Sequence, residues 1–89
     1  MDIVTNVKLR LDDQYAFSIS QEAPPGHLAQ VALVYRRDGV DKGFVPCLYW
    51  AESWVGGDYD DDVIRLLNGH EVADLLLLAK EYIYTKDNR

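Results

Sequence analysis

Leu67-Asn68-Gly69-His70-Glu71-Val72 divides this chain between two hydrophobic periods. Asn68 followed three residues later by Glu71 is a capping-box pattern, in which each side chain takes up a backbone N–H left unpaired at a helix start. Leu67 and Val72 flank the box at the positions of a hydrophobic staple, so a helix is predicted to begin at Gly69. Beyond it, Val72, Leu75, Leu76, Ala79 and Ile83 follow the i, i+3, i+4, i+7, i+11 spacing of one stripe, the face expected to pack on a sheet. Ala73, Leu77 and Tyr84 project roughly 120° from that stripe, where a merely solvated face would carry Lys or Glu. This second stripe is a candidate docking surface.

Upstream of the box the period is two. Ile3, Thr5, Val7, Leu9 and Leu11 alternate with Asn6, Lys8 and Arg10, which predicts a strand with one core face and one solvent face. Asp12-Asp13-Gln14 turns the chain, and Tyr15, Phe17 and Ile19 alternate with Ala16, Ser18 and Ser20 as the returning arm of an antiparallel hairpin. Pro24-Pro25-Gly26 breaks the sheet, because proline removes backbone donors. Ala29 to Tyr35 is apolar on both parities and is expected at the centre of the sheet, covered on both faces. Residues 36–43 form a charged hairpin connection, and Phe44 to Trp50 is expected as the next strand, at an edge or bulged because of Pro46. Val63-Ile64-Arg65-Leu66-Leu67 reads as a short last strand feeding into the helix; a helical turn capped by Asp60 to Asp62 is the competing reading. The fold class that follows is α+β: an antiparallel sheet of four to five strands with one C-terminal amphipathic helix packed on one face. Residues 1–89 are expected to form a single domain.

At this size a partner or a second copy could contribute much of the stability. One cysteine, Cys47, allows neither an internal disulfide nor a multi-cysteine zinc site, and the expected compartment is the cytoplasm. No export signal or membrane span is read in the sequence. The net charge of −6 is uneven, −1 over residues 1–50 and −5 over residues 51–89. A field of that sign repels phosphate backbones and attracts basic protein surfaces, so no direct nucleic-acid binding is expected.

Asp58, Asp60, Asp61 and Asp62, with Tyr59 among them, are the densest run of oxygen ligands. They do not fit a calcium loop: the position that needs glycine is Val63, and the one that needs a bidentate glutamate is Gly69. Tyr49, Trp50, Trp54 and Tyr59 surround Gly56-Gly57, with Trp50 expected in the core and Trp54 as an exposed anchor. Cys47 is expected to be a buried, inert thiol, and no third orienting group accompanies His27 or His70. No phosphate-binding glycine fingerprint, HExxH or CxxC is present, so neither an enzyme nor a bound cofactor is expected.

The function expected from these features is a protein-binding module or small inhibitor. It would dock through Trp54, Asp58, Tyr59, Asp60, Asp61 and Asp62 onto a basic protein, with Leu77 and Tyr84 open to self-association as a homodimer. Its sharper form is a nucleic-acid mimic of the anti-restriction or anti-CRISPR type. Two alternatives stand beside it: a divalent-metal protein or metal-dependent enzyme using the Asp58–Asp62 cluster, and a structural assembly subunit.

Overall fold

Both arms of the capping box are made: the Glu71 N–H donates to Asn68 Oδ1 and the Asn68 N–H to Glu71 Oε1, each at 3.0 Å. The helix they start, α2, runs Gly69–Asp87. The computed structural model describes residues 3–22, 29–54 and 61–87. Among these, five strands form one antiparallel sheet: β1 (Ile3–Arg10), β2 (Tyr15–Glu22), β3 (Ala29–Arg37), β4 (Val40–Val45) and β5 (Ile64–Leu67).

The local chemistry of each turn explains the order. Asp12 Oδ1 accepts from the N–H groups of Gln14 and Tyr15 at 2.8 and 2.7 Å, an Asx turn that reverses the chain between β1 and β2. Asp38 and Gly39, with φ of +54° and +78°, make the two-residue connection from β3 to β4. Two consecutive left-handed residues give a turn whose twist matches that of the flanking strands. The expected last strand is present as β5, and it ends directly at the helix cap.

β3 is the central strand. One side pairs with β2 along almost its whole length, from Tyr15↔Tyr35 to Gln21↔Ala29. On the other side two short strands share the edge: β4 pairs with Leu33 to Arg37 and β5 with Ala29 and Val31. The chain must leave the sheet between them, and Pro46 is where it does so. The connection expected over residues 36–43 and the strand expected over Phe44 to Trp50 therefore both need correction: β4 starts at Val40 and stops at Val45, and Cys47–Trp50 is a helical turn, α1, with Pro46 as its N-cap. Proline cannot donate to the ladder, and its φ of −56° suits the residue leading into a helix. The Cys47 N–H then donates to the Asp61 carbonyl at 2.8 Å, holding the start of α1 against the segment that enters β5.

The core fills the space between one sheet face and the helices. Tyr15 and Phe17 of β2, Val31 and Leu33 of β3, Ile64 and Leu67 at β5, and Leu75, Ala79 and Ile83 of α2 form one buried cluster. Val72 and Leu76, on the same predicted stripe, pack against it half-buried. Trp50 sits edge-on to Phe17, ring centroids 6.0 Å apart at 89°, as the core tryptophan anticipated. Cys47 is fully buried. No helix among the described residues is long and apolar enough to cross a membrane.

Of the apolar row expected to face the core from Ile3 to Leu11, Leu11 packs half-buried against the core cluster, but Val7 and Leu9 need correction. Val7 and Leu9 are in register with Ile19 and Phe17, on the side where α2 packs, yet they are 43% and 38% exposed. A single helix packed mainly on β2, β3 and β5 leaves the outermost strand largely uncovered.

Candidate functional site

Among the described residues, three surfaces present side chains that a ligand or partner could reach. The first is the outer face of α2. Leu77 and Tyr84 stand two turns apart, 58% and 71% exposed, and line a groove of about 450 Å³ with Lys80, Glu81 and Thr85. Asp74 and Glu81 lie within about one turn of Leu77, and both are exposed. Lys86 turns elsewhere, its Nζ 5.3 Å from the centroid of the Tyr82 ring and 5.9 Å from that of Tyr15.

The second surface is the acidic aromatic segment, and only parts of it can be placed. Asp58, Tyr59 and Asp60 lie outside the described residues. Asp61 is exposed and Asp62 half-buried. Trp54, expected as an exposed anchor, is instead half-buried against the core cluster. The reason is local: α1 ends at Trp50, and the Trp54 N–H donates to the Ala51 carbonyl at 2.9 Å, so the chain curls back before the glycines. Leu48 and Tyr49 of α1 are the exposed apolar residues of this region. Among the described residues no group of three or more His, Cys, Asp or Glu is placed to hold a metal ion.

The third surface, which no local sequence signal announced, is the open face of the sheet. A cavity of about 560 Å³ there is lined by Asn6, Lys8, Ser18, Ser20, Gln30 and Phe44 among others. Asn6 Nδ2 donates to Ser20 Oγ at 2.6 Å, which pairs the hydroxyl of the one buried polar residue identified among those described. Lys8 of β1 reaches diagonally across β2 and β3 to form an ion pair with Asp41 of β4, and Arg36 Nε lies 3.0 Å from the same carboxylate. The registers Lys8↔Ser18↔Ala32 and Arg36↔Asp41 place this bridge over Ala16 and Val34. Both are buried although no helix covers them.

The hydrogen bond from Lys8 holds the Asp41 carboxyl below its ordinary range; the positive charges of Lys8 and Arg36 add to this, and desolvation opposes it. A depressed carboxylate stabilises the fold above the unfolded-state pKa, and that contribution is lost as pH falls through the folded-state value. Asp41→Asn is therefore expected to lower Tm at neutral pH, with the gap to wild type closing in strong acid. Thermal melts across that range check this; a gap independent of pH would contradict it.

Neither a protein-family model, nor a curated protein, nor a solved structure matches this chain.

Proposed function

We propose that this chain is a non-catalytic protein-binding module that presents the outer face of α2 to a basic surface on a protein partner. The observation that carries this reading is the exposure of Leu77 and Tyr84 on a helix whose opposite stripe is already buried. A helix needs one apolar stripe to dock on its own sheet. A second aliphatic and aromatic pair, open to water with Asp74, Lys80 and Glu81 around it, has the composition of an interface anchor with a charged rim.

The sign of the partner's surface follows from charge. Residues 51–89 carry −5, and among the described carboxylates of this half Glu52, Asp61, Asp74 and Glu81 are exposed. Such a field speeds encounter with a cationic surface and weakens with salt. With Trp54 packed on the core, the apolar part of the contact falls to Leu77 and Tyr84. The run Asp58 to Asp62, with Tyr59, would supply a further acidic contact. The nucleic-acid-mimic form of this function rests on that charge alone.

The test is affinity capture with the immobilised chain at low and raised salt, comparing wild type with Leu77→Ala/Tyr84→Ala. A stoichiometric basic protein, lost at raised salt and lost with the double variant, is the expected result. Capture that ignores the double variant, or recovery of a second copy alone, would overturn the reading.

A further inference from the structure

We infer that β1 is a self-association edge, and that two copies of this chain join antiparallel through their β1 strands, centred on Val7, into one continuous sheet. This inference uses the sheet edge and does not rest on the α2 surface.

β1 pairs with β2 on one side, and among the described residues no strand pairs with its other side. The phase of its outward groups can be derived. The Leu11 N–H donates to the Tyr15 carbonyl at 2.9 Å, so the pair Leu11–Tyr15 is hydrogen-bonded across the ladder. Hydrogen-bonded and non-bonded pairs alternate, which makes Leu9–Phe17 and Val7–Ile19 bonded pairs as well. The N–H and C=O groups of Val7 and Leu9 therefore point inward to β2. Those of Asn6, Lys8 and Arg10 point outward, toward the unpaired edge, where they form a template for another strand.

Self-complementarity selects the occupant and the register. Residues directly opposite one another must share a face, so the twofold axis has to pass through a residue. Centring on Lys8 would set Lys8 against its own copy, and centring on Leu9 would set Lys8 against Arg10; like charges directly opposite are destabilising. Centring on Asn6 would draw the irregular start of the strand, where the register shifts between Ile3 and Thr5, into the pairing. Val7 avoids the like-charge contacts and moves the register shift one pair further from the axis. Val7 then meets Val7 of the second copy, Leu9 lies opposite Thr5, and Lys8 lies opposite the uncharged Asn6.

The same register would cover the apolar side chains that α2 leaves exposed. Val7 and Leu9 lie on the core side of the sheet away from α2, and a second β1 would set Val7 of the other copy directly beside Val7 and diagonally beside Leu9. In such a dimer both α2 helices lie on one side of the joined sheet.

The arrangement can be trapped chemically. Because Val7 is inward-bonded to β2, Val7–Val7 is a non-hydrogen-bonded pair in the new ladder, with Cα atoms about 4.5 Å apart. That separation is within reach of a disulfide. Cys47 is buried, so the native thiol is shielded from a mild oxidant.

The wild-type chain is expected to sediment at twice its 10.2 kDa mass. Val7→Cys treated with oxidised glutathione should run as a covalent dimer on a non-reducing gel, and Leu77→Cys, exposed but away from β1, should not. Val7→Lys should halve the sedimenting mass while leaving the circular dichroism unchanged. A wild-type monomer at every concentration would overturn the proposal, as would a dimer in which Val7→Cys fails to cross-link.

Discussion

Phe17→Ala is expected to destabilise this fold by about 3–5 kcal/mol, the range for removing a fully buried aromatic ring. Phe17 is completely buried at the middle of β2, in register with Leu33 and edge-on to Trp50. Removing the ring takes away the edge-on contact between the sheet and the α1 tryptophan, and the elements around it must collapse to fill the space. Chains of this size have total stabilities of about 5–15 kcal/mol, with small cores at the lower end, so the variant should be largely unfolded at modest denaturant. Urea unfolding followed by tryptophan fluorescence measures it. A loss below about 1 kcal/mol would mean that Phe17 is not packed as described.

Leu75→Ala and Leu77→Ala, two positions apart on α2, are expected to behave oppositely. Leu75 is fully buried beneath the helix, and its truncation should cost about 2–5 kcal/mol by leaving a cavity against β3 and β2. Leu77 is more than half exposed, and its truncation should change stability by no more than about 0.5 kcal/mol. Paired thermal melts check both. Equal losses would show that α2 is rotated relative to the sheet, and the assignment of its outer face would fail with it.

The helix is legible in the amino-acid sequence because its signals are local. A cap, a staple and a stripe all lie within a few residues of one another, and both cap hydrogen bonds are made as the Asn68–Glu71 spacing requires. The hairpin of β1 and β2 is legible for the same reason. What alternation does not reveal is position within the sheet. Val7 and Leu9 have the pattern of a core-facing row, but burial depends on whether a helix reaches that strand, which is a tertiary fact.

Phe44 to Trp50 fails as a strand for a related reason. Aromatic and β-branched composition suits a strand and a short helical turn alike, and Pro46 decides between them by ending the ladder rather than merely marking an edge. Trp54 likewise reads as exposed because it stands close before two glycines, whereas the turn after α1 folds it back onto the core. The bridge from Lys8 to Asp41 has no sequence signal at all. Its partners are 33 residues apart and meet only once four strands are in register. On the candidate surface, Leu77 and Tyr84 follow from helical spacing, because a face repeats along the helix whether or not its partner is known.

Titrating the captured partner into isotope-labelled protein, with backbone amide shifts mapped by NMR, shows whether the outer face of α2 is the docking surface. The largest changes are expected around Leu77, Lys80, Glu81, Tyr84 and Thr85. Changes confined to the open sheet face, around Asn6, Lys8, Gln30 and Phe44, would contradict it.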